Sequence, residues 1–131
     1  MTYIIGEIGQ NHNGNVKIAK KIIDVVCLPI KDKLFGIDLP IMDAVKLTKR
    51  DLKYELSDSK MARPYNNKNS FAKTYGEHRE FLELDDEEHY EIYKYAKTKD
   101  LDFVETLCAP SCLSILKLFI PDKLKVASRA L

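Results

Sequence analysis

Four polar residues stand late in four short apolar runs of this chain: Glu7, Lys46, Thr106 and Lys125. A charge inside an apolar run is costly to bury unless it is paired or meets a ligand. Two ammonium groups, a carboxylate and a hydroxyl brought together suit an anionic ligand with an acid, base or hydrogen-bonding group beside it. Ser128, just beyond the fourth run, adds a second hydroxyl, and its backbone N–H is placed to help hold a phosphate. The segment Gln10-Asn11-His12-Asn13-Gly14 packs amide and imidazole donors into a short span, which suits a polyhydroxylated substrate.

Each residue also has a plainer reading. Glu7 and Lys46 can pair across neighbouring strands as a structural ion pair, and Lys125 can be a solvated strand-end lysine. Thr106 is a good strand former, and His12 in an Asn-rich loop reads as a turn or hydrogen-bonding residue before it reads as a metal ligand. His78 and His89 fall in a loop and a helix. One histidine per element is not the cluster of three or four ligands that a metal site of the zinc type needs, so no metal ligand is assigned. Cys27, Cys108 and Cys112 form an odd set without zinc-finger spacing and read as reduced, mostly buried thiols.

The elements that would position these groups can be read from periodicity. Tyr3 to Ile8 is short and β-branched, a buried strand bounded by Gly9. Ala19, Ile22, Ile23 and Val26 recur at helical spacing, and Pro29 closes that helix. From Pro29 to Pro40 the chain reads as an extended connection, and Met42 to Leu47 as a second strand. A long Asn-rich loop follows, with Pro64, Asn66, Asn67 and Asn69 around Tyr65, and loops of that length are usually functional. Asp85 and Glu88 make a capping box ahead of the stripe His89, Ile92, Tyr93, Ala96. Leu101 to Leu107 reads as a third strand. Pro110 opens a helix burying Leu113, Leu116 and Ile120, and Leu124 to Ala127 reads as a fourth strand.

Strands alternating with helices predict parallel βαβ units, so the polar strand ends share the carboxyl edge where such proteins bind ligands. The expected fold is α/β: the N-terminal half of a (β/α)₈ TIM barrel, four parallel strands with intervening helices, over 1–131. A complete barrel of this kind takes about 250 residues. An open half-barrel exposes apolar strand faces, which predicts pairing with another chain, such as a homodimer.

Composition narrows the function. Of 131 residues, 21 are Lys or Arg and 20 are Asp or Glu, leaving a net charge of +1. That balance disfavours a nucleic-acid binder driven by phosphate contacts. No apolar run reaches the ~18 residues of a membrane helix, and no leader is visible, so a cytoplasmic location is expected.

Residues Gly6-Glu7-Ile8-Gly9-Gln10-Asn11-His12-Asn13-Gly14 resemble the opening strand and loop of the sialic acid synthase family. Further matches follow in order: Asp43-Ala44-Val45-Lys46 with Lys49-Arg50, Thr74-Tyr75-Gly76-Glu77-His78-Arg79-Glu80, Leu101-Asp102-Phe103, and Lys125-Val126-Ala127-Ser128-Arg129. The resemblance implies a barrel enzyme that condenses phosphoenolpyruvate with an N-acylhexosamine such as N-acetylmannosamine, yielding a nonulosonic acid and phosphate. It implies a divalent metal, Mn²⁺ or Mg²⁺, whose histidine ligands lie in later strands of the family, beyond Leu131. Lys46, Thr106, Lys125 and Ser128 match its phosphoenolpyruvate-binding positions, and Glu7 matches a carboxylate at the reacting end. Asn11, His12 and Asn69 are the candidate substrate-loop residues. The resemblance also implies a small C-terminal domain that completes the sugar site across a dimer, expected to lie outside residues 1–131. Ala130 stands where the family usually carries an acidic residue. Two expectations therefore stand side by side: part of a synthase, or an inactive fragment or anion-binding half-barrel.

Overall fold

The computed structural model describes residues 2–39 and 41–127, so Ser128 and Ala130 lie outside the described residues. In chain order the elements are strand β1 (Ile5–Gly9), helix α1 (Val16–Val26), strands β2 (Ile30–Asp32) and β3 (Ile37–Leu39), and strand β4 (Ala44–Lys49). Helices α2 (Leu52–Glu55), α3 (Asp58–Met61), α4 (Tyr75–Leu82) and α5 (Asp86–Lys97) follow, then strand β5 (Asp102–Leu107). A 3₁₀ helix spans Pro110–Lys117, and strand β6 is Lys123–Val126.

β1, β4, β5 and β6 form one sheet in that order, every neighbouring pair parallel. Consecutive parallel strands lying side by side in chain order are the arrangement of one side of a (β/α)₈ barrel. Strand side chains alternate between faces. Ile8, Val45, Leu47 and Phe103 pack on the helices, in a core shared with Ala19, Ile23, Ile92, Ala96, Ile115 and Phe119. Tyr93 and Phe119 stack at 4.4 Å, and Phe103 meets Phe119 edge-on at 5.8 Å.

The predicted helices over α1 and α5 are present, each with its cap. Asn15 caps α1 by accepting from the backbone N–H of Lys17 and Ile18. Asp85 and Glu88 form the reciprocal capping box of α5. Several expectations need correction. The run at Tyr3 to Ile8 is not buried throughout, because Tyr3, Ile4 and Ile5 are 41%, 46% and 41% exposed. They lie at the open side of an edge strand, where only Gly6 and Ile8 face packing.

The connection from Pro29 to Pro40 is not simply extended. β2 and β3 pair antiparallel around a turn in which the Asp32 carboxylate accepts from the N–H groups of Leu34 and Phe35. Gly36 closes that turn at a left-handed φ of 64°. The Asn-rich stretch runs into α4, whose capping box Thr74/Glu77 satisfies the N–H groups of Glu77 and of Thr74 itself. Past Pro110 the helix is 3₁₀, and its threefold period buries Cys112 and Ile115 rather than Leu113 and Ile120, which stay exposed. Cys108 and Cys112 are buried as anticipated, and Cys27 is partly so.

The first loop is fastened to α4 by a close approach. Gly14 has a φ of +64°, and a Cβ added there would lie 2.1 Å from the carbonyl oxygen of Phe81. Gly14→Ala is expected to destabilise the chain by about 2 kcal/mol or more, combining left-handed backbone cost with a clash against main chain. Urea unfolding measures it; a loss under about 0.5 kcal/mol, the scale of an ordinary surface change, would mean that the loop does not pack on α4.

Candidate functional site

The site grows out of strand register. Glu7 pairs in register with Lys46, Thr48 with Thr106, and Thr106 with Lys125. All of these side chains therefore leave the sheet on the face opposite the helices, at its carboxyl end. They line a cavity of about 490 Å³ together with Gln10, Arg50, Arg79 and Cys108. Of the predicted residues, the structure thus brings Glu7, Lys46, Thr106 and Lys125 into one place.

Lys46 and Glu7 are a close ion pair, the lysine largely buried and the carboxylate about half exposed. Burial and then the Lys125 ammonium push the Lys46 pKa below the ordinary lysine value. Two like charges facing one cavity, one of them partly desolvated, favour an anion between them. The Thr106 hydroxyl oxygen is buried with no hydrogen-bond partner among the described residues, a polar group left for a ligand or water to satisfy.

Sequence reasoning passed over Thr48, placed Gln10 only within the donor-rich loop, and quoted Arg50 and Arg79 within motifs without giving either a role at the site. The signal for two of them was the twofold strand period, which carries Lys46, Thr48 and Arg50 onto one face. Arg50 makes a two-pronged ion pair with Glu55, its Nη2 and Nε donating to Oε2 at 2.7 and 3.1 Å. Gln10 donates its amide to the Glu83 carboxylate. Burial pushes the Glu83 pKa up against the pull of Arg79 and Arg50.

A neighbouring cavity of about 590 Å³ gathers the predicted loop residues Asn11 and Asn69, with Gln10 and Arg79 as its shared wall with the first. His78 is also there, packed between Tyr65 and Phe71 at ring-centroid distances of 4.7 and 5.7 Å. A larger cleft of about 730 Å³ lies on the other side of β6, lined by Leu107, Leu113, Leu124, Val126 and Pro110. Its lining is mainly apolar, and of the first cavity's cations it shares Lys125 but not Lys46, Arg50 or Arg79.

The structure sets His12 apart from this group. Its ring is 1% exposed, and Nδ1 accepts from the N–H of Gly14 at 3.1 Å. Beneath the loop lie two more buried polar side chains, His89 on α5 and Glu105 on β5, joined at 3.1 Å. Glu105 faces the helices, one residue from Thr106, and its other oxygen has no partner among the described residues. No three His, Cys, Asp or Glu side chains among the described residues are grouped to hold a metal ion.

The NeuB family model matches residues 41–131, which include β4, β5, β6 and the helix α4 that carries Arg79. The chain belongs to the NeuB family. Curated relatives agree with the resemblance read from the ordered motifs. Human N-acetylneuraminate-9-phosphate synthase is 35% identical over 101 residues, covering 77% of this chain and 25% of that protein. The Drosophila melanogaster protein of the same name is 32% identical over 126 residues, covering 96% and 31%. This NeuB chain therefore spans between a quarter and a third of the length of these relatives. In fold it is similar to the N-acetylneuraminic acid synthetase of Leptospira borgpetersenii, crystallised with citrate, at a TM-score of 0.66 and 18% identity, covering 98% of this chain and 37% of that one. A spore coat polysaccharide biosynthesis protein of Bacillus subtilis gives 0.55 and 23%, covering 96% and 29%.

Burial, the positive field of His89 and only partial relief from a Gly9 backbone bond bring the His12 pKa from 6.5 down to about 4. A histidine depressed on folding binds its proton more readily in the unfolded chain. Stability is then intact above about pH 6.5 and falls as the pH drops through that value toward 4. The expected loss is of the order of 3 kcal/mol. Urea midpoints at pH 7 and 4.5 should separate in the wild type and converge in His12→Gln; an equal pH dependence in both would place the titration elsewhere.

Proposed function

We propose that this chain provides the phosphoenolpyruvate-binding wall of a synthase that joins phosphoenolpyruvate to an N-acylhexosamine such as N-acetylmannosamine. In that reaction C3 of phosphoenolpyruvate bonds to the sugar's aldehyde carbon, whose oxygen takes up a proton, while water adds its oxygen at C2 and the bond from C2 to the bridging oxygen breaks, releasing phosphate and leaving a C2 ketone. A nonulosonic acid results, in cytoplasmic carbohydrate biosynthesis. The observation that supports this reading is the convergence of Lys46, Lys125 and the unpartnered Thr106 hydroxyl on one cavity at the carboxyl end of a parallel sheet.

The residues divide the work by chemistry. Lys46 and Lys125 offset the charge of phosphate and carboxylate, and Thr106 donates a hydroxyl hydrogen bond. Ser128 adds a second hydroxyl in the same reading. Glu7, already in contact with Lys46, is the carboxylate that accepts or returns a proton near the reacting carbons. Fixed donors around a developing charge stabilise it without reorganising. Asn11 and Asn69, across the Gln10–Arg79 wall, are the candidate contacts for sugar hydroxyls. His12 reaches this picture only through the loop shape it holds.

The divalent metal implied by the resemblance, Mn²⁺ or Mg²⁺, finds no fitting donor set among the described residues. His12 and His89 are buried under the loop and His78 is sandwiched by aromatic rings, so none of the three is free to join a donor set. A homodimer belongs to the same reading, and the exposed Leu113, Ile120, Leu124 and Val126 are apolar surface that such pairing would cover.

Calorimetric titration of the chain with phosphoenolpyruvate tests the reading. Saturable binding is expected, weakened about tenfold or more in Lys125→Met and Lys46→Met, the scale for losing one partner of a charge-assisted contact. Wild-type protein that takes up no phosphoenolpyruvate at millimolar concentration would overturn it.

A further inference from the structure

Among the cations around the first cavity, two are already answered. Glu7 contacts Lys46, and Glu55 accepts from Nε and Nη2 of Arg50. Arg79 is different. Its Nε is buried without a hydrogen-bond partner among the described residues, although it lines both the first cavity and the Asn11/Asn69 cavity. The carboxylates that act on it through space are engaged elsewhere, Glu83 by Gln10 and Glu55 by Arg50.

A guanidinium is planar and always charged, and it presents its N–H groups as a fork that matches carboxylate or phosphate oxygens two at a time. Leaving such a group partly buried and unbonded is costly, because the desolvated donor has nothing to replace water. Burial and the neighbouring Arg50 both push against its charged form. An anionic group arriving in the cavity would remove that cost. Phosphoenolpyruvate has two anionic ends, and among the described residues Lys125 and Arg79 are the cations of this wall left outside the Glu7–Lys46 and Glu55–Arg50 pairs.

We propose that Arg79 is a binding residue of the same pocket, gripping one anionic end of phosphoenolpyruvate with its guanidinium fork while Lys125, beside the Glu7-paired Lys46, holds the other. The assignment rests on the reading given under the previous heading. It makes α4, and not only the strand ends, part of the ligand-binding wall. It also ties the ligand to the segment that shapes the neighbouring cavity.

The test compares wild type, Arg79→Gln and Arg79→Lys as the full chain, titrated by calorimetry with phosphoenolpyruvate and separately with inorganic phosphate. Circular dichroism and urea midpoints establish that each variant is folded. Arg79→Gln is expected to weaken phosphoenolpyruvate at least tenfold, and Arg79→Lys to recover part of that loss, since a point charge replaces the fork. A loss shared with inorganic phosphate puts Arg79 on the phosphoryl end, and a loss confined to phosphoenolpyruvate puts it on the carboxylate; both support the proposal. If Arg79→Gln is folded and binds like wild type while Lys125→Met does not, Arg79 is no ligand residue and the pocket assignment stands. If Arg79→Gln does not fold, the Lys variant decides: full wild-type affinity there overturns the fork. If wild type binds no phosphoenolpyruvate, both assignments fall together.

Discussion

β4 is paired on both sides, with β1 and with β5, and its register is the constraint on which the rest depends. Val45, Leu47 and Lys49 go to the helix side, where the first two are fully buried and the Lys49 ammonium bonds the Leu84 carbonyl at 2.7 Å and Asp86 at 3.0 Å. Lys46, Thr48 and Arg50 go the other way, into the cavity. A slip of one residue would exchange the two sets, burying charge in the core and putting leucine and valine in the pocket. The hydrophobic core and the ligand wall are therefore the same decision made once, and neither can drift without the other.

The electrostatics of the pocket follow from where that register leaves its charges. Cations outnumber the carboxylates that face them, and the surplus is held partly out of water, where a charge is expensive. Internal pairing lowers the expense for Lys46 and Arg50. On the opposite face of β5 the same problem is solved differently: Glu105 meets His89 inside the core, and a second histidine, His12, stays neutral beside them. One strand thus carries an acid facing inward and a hydroxyl, Thr106, facing the pocket, one residue apart.

Much of this was legible in the chain. The helical stripes over α1 and α5, the Asp85/Glu88 cap and the four parallel strands follow from period and capping chemistry alone, and so does the gathering of Glu7, Lys46, Thr106 and Lys125. What was missed has physical reasons. Thr74 and Glu77 form the same capping box as Asp85 and Glu88, but the polar sequence before them masked a helix of eight residues. The β2–β3 hairpin has strands of three residues, too short for alternation to register. The 3₁₀ helix buries by threes where a period of 3.6 was assumed. Arg79 and the inward-facing Glu105 owe their surroundings to residues far away in the chain, which local pattern does not report.

The hairpin also bears on time. β1 and β4 are joined by a long connection and must close a large loop before either gains from pairing, and such non-local closures slow folding. Antiparallel strands with a two-sided turn form locally, within about 1–10 μs. By pinching off the stretch from Ile30 to Leu39, β2 and β3 shorten the chain that remains to be closed. Their side chains stay largely exposed and add little to the core. Any gain they bring is one of loop length, since a closed hairpin leaves less free chain between the first two staves of the sheet.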